Sequence, residues 1–315
     1  MGERILITGA SGFAGSHLLD YLANTIDANS TLVGWTRGRT PREGGAAWHQ
    51  VDLLDRAAVR TAVERARPSM VYHLAGSPHV GSSWQDRASA LASNVLGTHH
   101  LFDALRRVGP CRVVVAGSAA VYAASTSPLL ETDRAWPANP YALSKFAQER
   151  LSLRAILEDG VDVVLTRSFN HTGPRQSDAF VAPSMARQIA RIERGDAAPV
   201  LKVGNLDARR DFTDVRDVVA AYAALMIKGL GGEIYNVASG TAHSMRQLLD
   251  ALLSRARVPV TVEADTARLR PQDTPVILGN ADKLKAATGW TPSIPFERMM
   301  DDLLEYWRSE VGRGQ

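Results

Sequence analysis

The chain has 315 residues, 45% of them hydrophobic and 22% charged, with 25 Gly, 15 Pro and a formal net charge of +3. These are globular values: they exclude a disordered, collagenous or coiled-coil chain, and a fold of this length buries roughly 75% of its extended surface without needing disulfides or a structural metal. The single cysteine, Cys111, has no second thiol for a disulfide or a thiolate metal site, and arginines that alternate with acids form no basic block suited to nucleic acid.

In chain order, RILIT (4–8) reads as a first strand, and AGSHLLDYLA after it carries apolar residues at i, i+3 and i+4. TLVGW (31–35), MVYHLA (70–75), RVVVAG (112–117) and VDVVLT (161–166) are further strands. Between them RAAVRTAVERA, ALASNVLGTHHLFDALRRV and YALSKFAQERLSLRAIL have helical spacing. This βαβ series predicts an α/β fold of the Rossmann type, a doubly wound parallel sheet with helices on both faces and Cys111 as a core thiol. Beyond about residue 170, Pro and Gly punctuation at HTGPRQ, GDAAPV, GLGGE and LRPQDTP breaks the regularity. The helices VAPSMARQIARIE, VRDVVAAYAALMI, MRQLLDALLSRA and FERMMDDLLEYW then predict a smaller α/β lobe. The expected division is 1–170 for the first domain, with about 212–240 returning to it, and 171–315 mainly for the lobe. The start MGERILITGA lacks a basic flank followed by a long apolar run, and no apolar stretch reaches the ~18 residues that span a bilayer, so a cytoplasmic protein without membrane contact is expected.

Directly after the first strand stands Gly9-Ala-Ser-Gly12-Phe-Ala-Gly15, and a helix follows. Glycines at such a strand-to-helix turn let the backbone approach a pyrophosphate, while the helix N-terminus offers free N–H groups and a positive dipole. Further on, Tyr141-Ala-Leu-Ser-Lys145 puts Tyr and Lys on one helix face, preceded by a strand that ends at Ser118. An ammonium one turn from a phenol is expected to draw its pKa down from about 10 toward a working acid or base, and Ser118 can bond the reacting oxygen.

With its GxxGxxG turn and YxxxK pair the chain resembles the short-chain dehydrogenase/reductase superfamily. VYHLAGSPHVGSSW with ASNVLGT (Asn94), Arg167-Ser-Phe-Asn170-His171 before GPRQ, and Arg209-Arg210-Asp211-Phe-Thr-Asp resemble its extended, nucleotide-sugar branch over essentially the whole length. The resemblance implies a catalytic trio of Ser118, Tyr141 and Lys145, with Lys145 also holding the nicotinamide ribose. Cofactor contacts are implied for Gly9, Ser11, Gly12, Phe13, Ala14, Gly15, Arg37, Asp52, Leu53, Leu74, Ala75, Gly76, Tyr141, Lys145 and His171. Substrate contacts are implied for Ser118 and Asn170 and for Arg187, Arg210 and Arg270, since arginine is the bidentate donor a diphosphate needs. A homodimer through a four-helix bundle is implied as well, with Ala88, Ala90, Leu91, Val95, Phe146 and Leu151 as its contact.

Sugar dehydratases of this branch carry proton-transferring residues just after the serine, where this chain has Ala119 and Ala120, so the elimination of water is not expected. Reductases and 4-epimerases both fit the trio. GNLDARRD (204–211) and RLRP (268–271) resemble the clan of GDP-mannose dehydratases and GDP-4-keto-6-deoxy-mannose reductases. After the second strand, Thr36-Arg37-Gly-Arg39 offers arginine where an NAD enzyme offers a carboxylate, which suits the 2′-phosphate of NADP. The expectation is therefore NADPH-dependent reduction of a GDP-4-keto-6-deoxy-hexose, with NAD possible as cofactor and an NAD-dependent nucleotide-sugar 4-epimerase as the alternative. Gly76 and Ala123 depart from that branch's usual alanine and glycine.

Overall fold

A computed structural model describes residues 2–38, 45–78, 84, 86–268 and 274–313. Its centre is a seven-stranded sheet, every pairing parallel, in the order β10-β6-β5-β4-β1-β2-β3. The strands are β1 (Arg4–Thr8), β2 (Thr31–Thr36), β3 (Ala47–Gln50), β4 (Met70–His73), β5 (Arg112–Ser118), β6 (Asp162–Ser168) and β10 (Ile234–Val237). The order reverses between β1 and β4, and the carboxyl ends on either side of such a switch point open a crevice.

Both faces of the sheet are buried, and the residues sort by alternation. Ile5, Ile7 and Val114 face a core closed by helices α1 (Phe13–Ala23) and α7 (Val215–Lys228). Leu6, Val113 and Val115 face the opposite core, with Val59 and Val63 of α2 (Arg56–Ala66) and Leu101 and Leu105 of α4 (Gly97–Leu105). Cys111 is buried there, and burial pushes its thiol up to about 12, which makes it an inert core residue. The sheet gains β3 and β10, which the strand patterns missed. AWHQ is a short edge strand with no buried residue, and β10 joins only after an excursion of some sixty residues from β6. The helix expected around 90–108 is broken: α3 (Arg87–Leu91) passes through a π turn (Ala92–Leu96) into α4.

The second layer of structure centres on β9 (Arg209–Asp214), which pairs with β7 (Asn170–Thr172), β11 (Ala242–Ser244) and β13 (Val276–Ile277). β8 (Val200–Val203) and β12 (Thr261–Ala264) form a separate parallel pair. Helices α6 (Val181–Arg194), α8 (Met245–Leu253) and α10 (Phe296–Arg313) pack around their own core of Ile189, Leu201, Phe212, Leu248, Met300 and Leu303. The short α9 (Asp282–Thr288) returns to the main core through Leu284. Among the described residues no helix is long and apolar enough to cross a membrane.

Two polar ties join distant segments. His17 of α1 donates from Nε2 to the Pro174 carbonyl (2.8 Å) and accepts at Nδ1 from Arg175 (2.9 Å), whose guanidinium also reaches Asp20 (2.7 Å). Arg175 takes φ +71° to do so. Inside the molecule, Arg167 of β6 grips Glu149 with two 2.8 Å hydrogen bonds, both residues being about 5% exposed or less. Glu149 lies on α5 (Pro140–Asp159), which starts on Pro140 with Asn139 capping the Ala142 N–H (2.9 Å). Removing one member of a buried pair strands the other charge. Arg167→Met is expected to cost about 3–5 kcal/mol in urea denaturation, and Arg167→Met with Glu149→Leu to recover most of that loss.

Candidate active site

The carboxyl ends of β1, β2, β4, β5 and β6 and the facing edge of the smaller lobe enclose one cleft of about 1780 Å³. Gly9, Ser11, Gly12, Phe13, Ala14 and Gly15 line its floor. Gly9 sits at φ +70° with its backbone against the Ala75 Cα, a close approach that any side chain would block. Gly12 begins α1 without a side-chain cap, so the first-turn N–H groups remain available to an anion. Beside them the exposed Arg37 lines the wall after β2. There Thr36 accepts from the Gly38 N–H (3.2 Å) and its hydroxyl meets that of Ser11 (2.7 Å). Asp52, Leu53, Leu74, Ala75 and Gly76 line the cleft as well.

The cleft also gathers Ser118, Tyr141, Lys145, Asn170 and His171. Ser118 ends β5, and the Gly117 before it lies so close to β6 that a Cβ there would collide with the Thr166 carbonyl. Ser118 stands beside the Tyr141 hydroxyl. Burial raises the Tyr141 pKa and the neighbouring Ser118 hydroxyl lowers it, with the net shift upward. This corrects the expectation that Lys145 would draw the phenol down. The lysine turns its ammonium to the Ala116 carbonyl (2.9 Å) and to Gln148 (2.9 Å) instead, and burial lowers it to about 8. His171 stacks on Phe13 with ring centroids 5.8 Å apart, and burial lowers its pKa.

Asn94, in the π turn, is fully buried; it donates to Ser144 (2.8 Å) and accepts from the Ser77 N–H (2.9 Å), so it ties the loop after β4 to α5. Gly76 passes so near this amide that a Cβ would collide with it, which accounts for glycine at that position. Ala119, Ala120 and Ala123 line the cleft next to Ser118. Among the described lining residues the one carboxylate is Asp52.

Of the expected diphosphate arginines, Arg210 lines the cleft and donates to the Thr274 carbonyl (2.7 Å). Arg187 does not belong to the cleft wall: it pairs with Asp178 on the outside of α6 and lies over Trp307. Arg39 and Arg270 fall outside the described residues. Lining residues that sequence reasoning missed include Tyr122, Tyr222, Gln176 and Phe180, together with Trp84 and Trp136. Tyr122 packs under the Arg167 guanidinium and bonds Asn236 (2.6 Å), a contact between residues too far apart in sequence to be read locally.

Over 99% of both chains, the sequence is 37% identical to GDP-6-deoxy-D-mannose reductase of Pseudomonas aeruginosa. The fold matches the structure of RMD from Pseudomonas aeruginosa complexed with NADPH, with a TM-score of 0.87 and 36% identity over 98% of this chain and 100% of that one. It also matches UDP-glucose 4-epimerase of Thermus thermophilus in complex with NAD, with a TM-score of 0.84 and 28% identity over 96% and 98% of the two chains. The family described as GDP-mannose 4,6 dehydratase matches residues 6–303, nearly the whole sequence, and the chain belongs to that family.

Proposed function

We propose that this chain reduces the C4 ketone of a GDP-4-keto-6-deoxy-hexose with NADPH, giving a GDP-6-deoxy-hexose of the GDP-rhamnose type. The observation that carries this reading is the wall around Ser118: Ser118 and Tyr141 side by side with Ala119 and Ala120, and among the described lining residues no carboxylate but Asp52. Such a wall can hold a carbonyl oxygen and give it a proton, but it cannot take a proton from carbon and expel water. The relative at 37% identity is a reductase of a GDP-6-deoxy sugar, and the solved relative carries NADPH.

The cleft fits a dinucleotide by its glycine floor, the uncapped start of α1 and the cation Arg37 at the end of β2. Bound NADPH would supply the hydride. Ser118 and Tyr141 hold the C4 oxygen, and Tyr141 releases its proton as negative charge develops there. The upward shift of Tyr141 keeps it protonated at neutral pH, the form a ketone reduction starts from. Lys145 has a third N–H beyond its two carbonyl-type partners, and we assign that donor to the nicotinamide ribose. Asn170 and Arg210 anchor the sugar and its diphosphate, so that C4 is held for attack.

We further propose a cytoplasmic homodimer built on α3, α4 and α5. Leu91, Leu96 and Leu143 are 40–50% exposed on these adjacent helices, next to the half-buried Val95 and Phe146. Ala90 is buried within the fold and takes no part in that face. Light scattering at micromolar concentration should give twice the chain mass, and Leu143→Glu should give a monomer.

Tyr141→Phe is expected to lower turnover about 10² to 10⁴-fold with little change in substrate affinity, measured on 4-keto sugar generated in place by a separate dehydratase. Near wild-type reduction would refute the mechanism. C4 epimerisation without NADPH consumption would establish the epimerase instead. Arg37→Ala should weaken NADPH binding by about 1–3 kcal/mol, the worth of a charge-assisted contact to the 2′-phosphate, and leave NADH nearly unchanged in a calorimetric titration.

A further inference from the structure

Behind Lys145 runs a closed chain of buried polar groups to which no role has yet been given. Gln148 accepts from the lysine at Oε1 (2.9 Å) and donates from Nε2 to Thr98 Oγ1 (2.8 Å). The Thr98 hydroxyl gives its own proton to the Asn94 carbonyl (2.7 Å), so its oxygen can only accept. It does so a second time from His73 Nε2 (2.8 Å). His73 Nδ1 then accepts from Thr8 Oγ1 (2.8 Å), and Thr8 in turn accepts from the Ala75 N–H (3.2 Å). Thr98, Gln148 and His73 are 1% exposed or less, so no water competes for these bonds.

Only one assignment of donors satisfies the chain. A flipped Gln148 amide would turn its NH₂ toward the ammonium and its oxygen toward a hydroxyl whose proton is already committed, and both contacts would be lost. We infer that Gln148, locked in this sense by Thr98 and His73, is a positioning residue that keeps Lys145 protonated and aligned at the cleft wall. Only the ammonium can serve both the Ala116 and Gln148 oxygens and still keep an N–H for the cleft. The groups around Lys145 leave this work to the amide. His73 on β4 is held neutral by burial and by the lysine charge. Tyr141 and Ser118 are uncharged partners of each other, and Glu149 on the same helix is taken up by Arg167. Burial of the lysine opposes its charge, and the Gln148 dipole offsets part of that cost.

The inference depends on the reductase reading only where turnover is the readout, so it is tested first on the protein itself. The chain has five lysines, and the Lys145 side-chain resonance can be assigned by its loss in Lys145→Met and followed against pH by NMR. Gln148→Leu should move the Lys145 midpoint down by about one pH unit, the size of one lost hydrogen bond to a charged group. Gln148→Glu should move it up. Thr98→Val frees the amide to turn and should act like Gln148→Leu, while Thr98→Ser keeps the hydroxyl and should match the wild type. The alkaline limb of kcat/KM for ketone reduction should shift in the same directions, because charge on Lys145 is present below its pKa and lost above it. Equal midpoints in the wild type, Gln148→Leu and Gln148→Glu would overturn the inference. Should Gln148→Leu and Thr98→Val not fold, an unmoved midpoint in Gln148→Glu overturns it alone. Shifted midpoints in a protein that reduces no 4-keto sugar would sink the proposed function and leave the role of Gln148 standing.

Discussion

The inward face of α5 is the constraint around which the site is built. Tyr141, Ser144, Lys145, Gln148, Glu149 and Ser152 all lie on it, and apart from the half-buried Tyr141 all are buried against the sheet. A helix that buries so many polar groups is tolerable only when each finds a partner, since an unpaired one costs about 1–3 kcal/mol and a charge more. The neighbouring elements meet that demand one residue at a time. β5 supplies the Ala116 carbonyl and the Ser118 hydroxyl, β6 supplies Arg167, and the π turn supplies Asn94. Under the proposed reading chemistry and folding share the same bonds: what holds the helix in place also sets the protonation and aim of Tyr141 and Lys145.

What was legible in the sequence was local. The glycine turn follows its strand without interruption, and Tyr141 and Lys145 share a helix face by spacing alone, so both could be placed before any fold was known. The residues expected on the cofactor side line one cleft, because the ends of parallel strands converge on one edge. Partners across the fold were not legible. Nothing in the local pattern distinguishes Arg187, which pairs with Asp178 on an outer surface, from Arg210, which reaches the cleft. The direction of the Tyr141 shift failed for the same reason. Spacing puts a lysine one turn away, but the direction of its ammonium depends on Ala116 and Gln148, and that of the phenol on burial.

Membership of a family settles the scaffold and leaves the chemistry to a few positions. Here the sheet, the glycine turn and the Tyr–Lys helix are general features of a nicotinamide-dependent fold, while Ala119 and Ala120 occupy the wall beside the serine. Alanine has no proton to give or take. Under the proposed reading such a wall leaves the cleft to hydride transfer at the carbon that bears the oxygen and withholds the proton transfers that eliminate water.

The bond from His17 to Pro174, with Arg175 folded back onto the same histidine, has a mechanical meaning. α1 rises from the glycine floor, and residues 173–176 continue directly from Asn170 and His171. Because His17 fastens one to the other, the glycine turn and the segment after Asn170 and His171 share a single lever: a small rotation of α1 carries that segment with it. Reshaping the glycine turn to accept a different dinucleotide would thus displace Asn170 and His171 in the same stroke, and a redesign of either segment has to be compensated at the other.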